Sequence, residues 1–490
     1  MYPLGMTGAP KNNPYPWPEE APAPVSVLLS APMEELLSWI PHLKQMNFTA
    51  VYIGPVFESS SHGYDTRDYR LIDRRLGSNA AFAEFVSQCH ENDIRVVIDG
   101  VFNHTGREFF AFRDIREHGS SSPYTGWYKG ISFDWRSPLG DAFGYEAWRG
   151  IWELPCLNLQ NPQVKEYLKD VIRFWISEFD IDGIRLDCAN VLDFQFMREL
   201  RLLAEEVKPD FWLMGEVIHG EYGRWVNSEM LHSVTNYEMH KSIYSAHNDH
   251  NYFELAHNVR RLQAIGRSLY TFLDNHDEDR IASKLKDPNH LKVIYTLLYT
   301  LPGIPSVYYG SEWGIEGRRT DSCDDALRPR ILPSEARKQE DSELSSHIQR
   351  LGEIRKTFPP LHGGAYEELL LTNRQYAFFR TAEDGSKLLT AANNDSCQAS
   401  LTLPCPEANG CVRELLTGQS FPVSDGFLSF TVTKTGDYRL EKEDVPVREE
   451  SEEPSRRAVF IRLLFIAAAV LFLLAAVTFI VRKKGGGRYE

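Results

Sequence analysis

The stretch Gly183-Ile-Arg-Leu-Asp187 decides the fold, because a short apolar run ends here in an arginine and a carboxylate. Five other segments place carboxylate, histidine or aromatic side chains at or beside an apolar run: Tyr64-Asp65, Asp99-Gly-Val-Phe-Asn-His104, Gly215-Glu-Val-Ile-His219, Phe272-Leu-Asp-Asn-His-Asp277 and Gly303-Ile-Pro-Ser-Val-Tyr-Tyr309. In a (β/α)8 barrel, the strands carry functional side chains to one rim, at their carboxyl ends. The six segments therefore predict an α/β fold, a (β/α)8 TIM barrel.

The pattern of the chain around these segments supports the barrel. Strand-like apolar runs cover residues 25–29, 50–53, 95–99, 183–187, 211–216, 233–236, 269–274 and 305–309. Between them lie helix-like segments, with apolar residues three and four apart. Eight such repeats predict a closed barrel over residues 25–358. A small inserted domain is expected after the third strand, over about 105–160, because that gap is too long for an ordinary loop.

The two ends of the chain differ in composition from the middle. Residues 1–24 are rich in proline and read as an extended leader. Short alternating runs predict a carboxyl-terminal antiparallel β-sandwich over residues 359–440. An acidic, proline-containing linker follows over residues 441–457.

An apolar stretch near the end of the sequence predicts a carboxyl-terminal transmembrane helix over residues 458–482, followed by a basic tail over 483–490. Residues 463–481 carry no charge, and at about 1.5 Å per residue they are long enough to cross a hydrocarbon core of roughly 30 Å. This helix predicts a single-pass membrane protein with the membrane as a partner. Basic residues flank the helix on both sides, so the side of the membrane on which the globular part lies stays open.

The overall composition excludes several functional classes. A chain of 490 residues that is 42% hydrophobic is long enough for one large core and a smaller domain. The net charge of −15 argues against nucleic acid as a partner. None of the seven cysteines forms a CxxC pair, so neither a zinc site nor a disulfide framework is expected.

Several of the motifs together resemble one family. The chain resembles glycoside hydrolase family 13, the alpha-amylase family, and within it the neopullulanase, cyclomaltodextrinase and maltogenic amylase group. The resemblance covers roughly residues 25–440 and rests on Tyr64-Asp-Thr-Arg-Asp-Tyr69, Val101-Phe-Asn-His-Thr-Gly106 and Asp187-Cys-Ala-Asn190. It implies a retaining hydrolase of alpha-1,4 and alpha-1,6 bonds, with maltooligosaccharides, cyclodextrins, pullulan or starch as the alpha-glucan partner.

Three carboxylates at strand ends suit this chemistry. Cleavage with retention needs one carboxylate to attack the anomeric carbon and a second carboxyl group, about 5 to 5.5 Å away, to protonate the leaving oxygen. Asp187 fits the nucleophile, because Arg185 lies two residues back on the same strand face and would keep it ionised. Glu216 follows an apolar run that would raise its pKa, as a general acid/base requires. By the resemblance, Asp277 stabilises the oxocarbenium-like transition state.

The resemblance also implies the substrate-binding residues. Tyr64 would be an aromatic platform for one sugar ring, and His104 and His276 would donate hydrogen bonds to that ring. Asp99 and Arg185 complete the substrate-binding set.

No cofactor is expected, and no metal is assigned to the site. Asn103 is a weak calcium candidate, because alpha-amylases often bind calcium at this position. A single amide carbonyl does not make a calcium site, which needs six to eight oxygens.

Two alternatives use the same residues or the same fold. An alpha-glucan transglycosylase or isomerase would need the same triad, because water and a sugar hydroxyl can both resolve a covalent glycosyl intermediate. A catalytically silent membrane scaffold, like the heavy chains of amino-acid exchangers, would share the fold. The presence of Asp187, Glu216 and Asp277 favours an enzyme over the scaffold, and the oligomeric state stays open.

Overall fold

Parallel strands form a barrel in the computed structural model, which describes residues 1–17, 31–320, 323–332, 334, 338, 342–406, 410–433 and 437–442. In chain order, its first strands are β1 (Ala50–Ile53), β2 (Phe57–Ser59), β3 (Thr66–Ile72), β4 (Arg95–Gly100), β5 (Ala147–Trp148), β6 (Ile151–Pro155), β7 (Gly183–Leu186), β8 (Trp212–Gly215), β9 (Ser233–Val234), β10 (Tyr270–Phe272) and β11 (Ile304–Ser306). Strands β1, β4, β7, β8 and β9 pair in parallel in that order, as do β10 and β11. A parallel bridge between Thr235 and Tyr270 joins the two groups, so the described residues contribute seven barrel strands.

Helices connect the strands, as parallel pairing requires. They span Pro3–Met6, Ala31–Leu37, Ile40–Gln45, Asn79–Glu91, Phe110–His118, Pro162–Phe179, Phe194–Val207, Tyr237–Asn248, Phe253–Arg261, Ile281–Lys284, Leu291–Thr300 and Glu343–Thr357. The predicted first strand, residues 25–29, lies outside the described residues. The other predicted barrel strands are observed with ends shifted by at most three residues.

Local sequence explains how the helix before β7 positions that strand. The side chain of Asn161 accepts a hydrogen bond from the backbone N–H of Gln163, and Pro162 occupies the first helical position, where its missing N–H costs nothing. The helix then buries an apolar stripe that includes Trp175. It ends at Asp180 in the left-handed conformation, with φ 55°, and β7 begins three residues later.

The carboxyl-terminal strands form an antiparallel sheet. They are β12 (Ala365–Leu371), β13 (Gln375–Thr381), β14 (Lys387–Asn393), β15 (Ala399–Pro404), β16 (Cys411–Glu414), β17 (Ser420–Ser424), β18 (Phe427–Val432) and β19 (Asp437–Lys442). The sheet order is β12-β13-β14-β19-β16-β17-β18-β15. Phe379 and Leu389 share an apolar cluster with Leu401 and Leu428, so the sheet folds back over its own core.

The prediction of a transmembrane helix is corrected by the structure. Among the residues that the structure describes, no helix has both the length and the apolar character needed to cross a bilayer. Residues 458–482, to which the sequence assigns the span, lie outside the described residues, as does the tail 483–490. An uncharged window measures only local hydropathy, whereas a span also requires a continuous helix. The fold class is therefore a barrel with carboxyl-terminal β-strands, and the predicted membrane localisation and membrane partner are corrected with it.

The first residues of the sequence pack against the barrel. Tyr2, Leu4 and Met6 are buried, and the backbone N–H of Gly54 donates to the carbonyl of Met1 at 2.7 Å. The first turn therefore lies beside the end of β1. The proposed end of the leader, at residue 24, falls outside the described residues and stays a prediction.

Two buried histidines meet where the helix Tyr237–Asn248 approaches the start of the helix Leu291–Thr300. The Nδ1 atoms of His247 and His290 are 2.6 Å apart. Burial lowers the pKa of His247 well below its ordinary value, and the neighbouring His290 and His250 lower it further. Burial lowers the pKa of His290 as well. Both imidazoles are therefore neutral in the folded protein at neutral pH.

Acidification is expected to destabilise the protein through His247. The unfolded chain binds a proton there below about pH 6.5 while the folded chain does not, so stability is lost as the pH falls through that value. The loss between pH 7 and pH 5 should be about 2 kcal/mol. Thermal unfolding midpoints at the two pH values measure it, and His247→Gln should reduce the difference. The same change at the exposed His118 is the control; an equal pH dependence in wild type and H247Q would contradict the prediction.

Candidate active site

Strand register brings the predicted carboxylates to one rim of the barrel. Leu186 of β7 lies opposite Gly215 of β8. The next residues, Asp187 and Glu216, therefore leave neighbouring strands side by side. Asp277 follows β10 on the same rim; its charge acts on Asp187 and Glu216, and the charge of Asp187 acts on Glu216.

The guanidinium of Arg185 lies between three carboxylates. Its Nη1 donates to Oδ1 of Asp99 at 3.0 Å and to Oδ1 of Asp187 at 2.8 Å, and its Nη2 lies 3.0 Å from Oε1 of Glu216. The planar fork of an arginine can hold several acceptors in fixed positions. One positive charge does not compensate three buried negative charges, so this cluster favours retention of a proton by one of the carboxyl groups.

Glu216 has the environment expected of a protonated carboxyl group. It is 7% exposed, its Oε2 accepts the backbone N–H of Cys188 at 3.0 Å, and its Oε1 lies 3.4 Å from the hydroxyl of Tyr237. Burial raises the pKa of Glu216, and the negative charges of Asp187 and Asp277 raise it further against the opposing effect of Arg185. One oxygen of Glu216 lies within 4.8 Å of one oxygen of Asp187.

The electrostatics of Asp187 differ from the prediction. The sequence predicts that Arg185 holds this carboxylate ionised. In the structure, burial raises the pKa of Asp187 above its ordinary value, and Arg185 only partly opposes this rise. The reason is that Asp99 and Glu216 share the same guanidinium. Asp187 and Glu216 therefore titrate as a coupled pair.

Asp277 is held in the ionised form by residues on two segments. Its Oδ2 lies 3.2 Å from Nε2 of His276, and its Oδ1 accepts a hydrogen bond from Nη2 of Arg328 at 2.8 Å. Burial alone would raise the pKa of Asp277, but the charges of His276, Arg328 and Arg185 outweigh burial and lower it well below the ordinary range. Arg328 also donates to the backbone carbonyl of His276, so it fixes two neighbouring residues at once.

Tyr64 contacts both His276 and Asp99 in the predicted sugar-binding site. Its hydroxyl lies 2.6 Å from Nε2 of His276 and 3.2 Å from Oδ2 of Asp99, which also accepts the hydroxyl of Tyr52 at 2.9 Å. The ring of Tyr2 stacks on His276, with centroids 6.0 Å apart and planes at 11°. The structure therefore brings Tyr64, Asp99 and His276 together, as their predicted binding role requires.

His104 is a buried imidazole beside Asn103. The side-chain amide of Asn103 lies 3.1 Å from its Nδ1, and burial lowers the pKa of His104 to about 3. The ring is therefore neutral, with Nδ1 accepting and the proton on Nε2. That Nε2 is buried and meets no hydrogen-bond partner among the described residues. A sugar hydroxyl is a suitable acceptor, and the ring of Trp148 stacks beside the imidazole at 6.1 Å.

In the described part of the chain, the side-chain amide of the calcium candidate Asn103 contacts His104, 3.1 Å from its Nδ1. There, the one group of three or more close carboxylate, thiol or imidazole ligand atoms is Asp187, Cys188 and Glu216. Those residues bond to one another and to Arg185, and Asn103 is not among them. A role of Asn103 as a calcium ligand stays a prediction.

The prediction from sequence misses four residues of the site. Tyr2 and Arg328 contact His276, Cys188 contacts both Asp187 and Glu216, and Tyr237 approaches Glu216. Tyr2 and Arg328 come from segments without a strand-end pattern. Cys188 and Tyr237 carried a sequence signal, since Cys188 follows a predicted catalytic residue and Tyr237 follows the predicted strand 233–236.

Comparison with known proteins identifies the family of the chain. Residues 33–358 match the alpha amylase catalytic domain family. A cyclomaltodextrinase from Geobacillus thermopakistaniensis is 30% identical over 83% of this chain and 69% of its own length. Neopullulanase 2 from Thermoactinomyces vulgaris is 31% identical over 87% of this chain and 74% of its own length.

A solved structure agrees as well. A cyclomaltodextrinase structure superposes with a TM-score of 0.77 at 27% identity, covering 90% of this chain and 76% of that chain. The matched family spans most of the barrel, and the carboxylates predicted for its chemistry meet at one rim within it. The chain belongs to the alpha-amylase family of glycoside hydrolases, glycoside hydrolase family 13.

Proposed function

We propose that this glycoside hydrolase is a retaining alpha-glucan hydrolase in which Asp187 is the nucleophile, Glu216 the general acid/base and Asp277 the transition-state stabiliser. The observation that carries the proposal is the pair of buried carboxyl groups with oxygens within 4.8 Å of each other. Retaining enzymes place these groups about 5 to 5.5 Å apart, whereas inverting enzymes separate them further to admit a water molecule.

In the first step, an oxygen of Asp187 attacks the anomeric carbon while the glycosidic bond to the leaving sugar breaks. The proton of Glu216 passes to the leaving oxygen, so the carboxyl group becomes a carboxylate. The raised pKa of Glu216 favours retention of that proton until the leaving oxygen takes it. Asp277, ionised beside His276 and Arg328, faces the positive charge that develops on the sugar.

In the second step, water attacks the anomeric carbon of the glycosyl-enzyme. Glu216, now a carboxylate, takes the proton from water, and the ester bond to Asp187 breaks. The two inversions give net retention. Tyr64, His104 and His276 supply the platform and hydrogen bonds to the sugar ring, and Arg185 and Asp99 hold Asp187 in place. This chemistry needs no cofactor.

The proposed substrates are alpha-1,4 and alpha-1,6 linked glucans such as maltooligosaccharides, cyclodextrins and pullulan. The names of the similar proteins support this class, since they include cyclomaltodextrinases and a neopullulanase. Linkage preference within the class depends on loops around the rim, which vary more than the strands that carry the catalytic groups.

Retention can be measured directly. The full-length protein is incubated with maltotriose, β-cyclodextrin or pullulan, and the first products are followed by proton NMR before mutarotation. We expect the alpha anomer to accumulate first. An initial beta anomer would contradict the double displacement. New, longer oligosaccharides in place of simple hydrolysis products would identify a transglycosylase, and no turnover of any glucan would favour the silent scaffold.

A further inference from the structure

Cys188 adopts an unusual backbone conformation directly after the proposed nucleophile. Its φ is 49° and its ψ is 38°, the left-handed region that a non-glycine residue enters at a steric cost. Such conformations persist where surrounding contacts hold them, and they concentrate at functional sites. The side chain is 8% exposed.

This conformation directs two donors of one residue at the two proposed catalytic carboxyl groups. The backbone N–H of Cys188 donates to Oε2 of Glu216 at 3.0 Å. The thiol donates to Oδ2 of Asp187 at 3.0 Å, while the other oxygen of Asp187 accepts from Arg185. Burial raises the pKa of the Cys188 thiol far above its ordinary value, and the two carboxylates raise it further, so the sulfur keeps its proton and acts as a donor.

We propose that Cys188 is a positioning residue of the active site, whose thiol hydrogen bond orients Asp187 for attack and stabilises its ionised form. This inference rests on the proposed roles of Asp187 and Glu216. Both oxygens of Asp187 then have a donor, one a guanidinium and the other a thiol. The two bonds restrict rotation of the carboxylate and hold it in the orientation that attack on a ring carbon requires.

The same bond changes the pH dependence of the reaction. A donor to a carboxylate favours its charged form, so removing the donor raises its pKa. The groups that face Asp187 electrostatically are Arg185 on its own strand, Asp99, Glu216 and Asp277 at the ends of other strands, Tyr69, and Cys188 itself. Substitution of the thiol leaves the other groups in place, so the shift isolates its contribution.

The test compares Cys188→Ala and Cys188→Ser with wild type, using α-maltosyl fluoride over a range of pH. Fluoride leaves without protonation, so this reaction does not need the proton of Glu216, and the acid limb of kcat/KM reports loss of the ionised nucleophile within the coupled pair of Asp187 and Glu216. The alanine variant keeps the backbone N–H bonded to Glu216. A thiol is a weak donor, so in the alanine variant we expect the midpoint of the acid limb to rise by about half a pH unit. At a pH on that limb, kcat/KM then falls about threefold. Serine, which has a hydroxyl donor, should restore the wild-type midpoint.

The control is Cys89→Ala, the same change at a buried cysteine on the helix Asn79–Glu91, and it should leave the midpoint unchanged. A wild-type midpoint in Cys188→Ala, or a midpoint in Cys188→Ser that equals that of the alanine variant, would overturn the positioning role. A folded wild-type protein that does not turn over the fluoride would instead overturn the proposed function itself.

Discussion

Asp187→Asn is expected to abolish glucan hydrolysis, with kcat/KM on β-cyclodextrin falling by about 10⁴-fold or more. Asparagine has nearly the same shape as aspartate, and its carbonyl oxygen can still accept from Arg185, which lies 2.8 Å from Asp187. The amide cannot form the ester intermediate, so the covalent route is closed. Steady-state kinetics with wild-type and variant protein measure the loss.

A second aspartate at the other end of the same strand supplies the control. Asp182 precedes β7, accepts the backbone N–H of Val96 at 2.7 Å and pairs with His90 and Lys208. Asp182→Asn removes a partly buried charge next to the start of the same strand but is remote from the rim, so it should lower the unfolding midpoint and leave kcat/KM close to wild type. If Asp187→Asn were folded and retained more than about one per cent of the activity, Asp187 would not be the nucleophile.

The strands of the barrel were predictable because their signal is local. Ala50–Ile53 begins and ends at the predicted residues, since it is an apolar run bounded by Thr49 and Gly54. Phe211–Glu216 is shorter than predicted, with Trp212–Gly215 in the strand. Glu216 still donates its backbone N–H to the carbonyl of Leu186 at 2.9 Å, and its side chain pairs with Arg185. A periodic pattern does not show at which residue the strand ends and the site begins.

The carboxylates of the site were predictable, but their partners were not. Asp187 and Glu216 follow apolar strands, so their position at the rim follows from the fold. Arg328 reaches Asp277 from a segment 51 residues later in the chain, after a short 3-10 turn at Asp325–Leu327. Tyr2 stacks on His276 from the start of the sequence. Such long-range contacts have no periodic signal, because only tertiary packing brings the segments together.

The transmembrane prediction was wrong, unlike the prediction of the barrel strands. It depended on composition alone, without any motif that tied the stretch to a position in the fold. Where composition and motif acted together, as at Gly183-Ile-Arg-Leu-Asp187, the strand formed at Gly183–Leu186 and the carboxylate is at its end. A pattern supported by a second, independent constraint is therefore the stronger basis for prediction in this chain.

Glu216→Gln is expected to slow the reaction of a substrate whose leaving group needs a proton far more than that of a substrate whose leaving group needs none. Hydrolysis of β-cyclodextrin should fall by about 10³-fold, because the leaving sugar oxygen is no longer protonated. Formation of the glycosyl-enzyme from α-maltosyl fluoride should fall far less, since fluoride leaves without a proton. The second step then becomes limiting, because no carboxylate at residue 216 activates water. Stopped-flow and steady-state fluoride release should show a burst followed by a slow rate.

Azide tests this assignment because it attacks the glycosyl-enzyme without giving up a proton. In Glu216→Gln, azide should accelerate turnover of α-maltosyl fluoride and produce α-maltosyl azide, the retained product of two displacements. In Asp187→Asn, any azide product must form by a single displacement and should be the beta anomer. The two carboxyl groups share Arg185, so their geometry alone does not distinguish the roles. A beta azide from Glu216→Gln would reverse the roles assigned to Asp187 and Glu216.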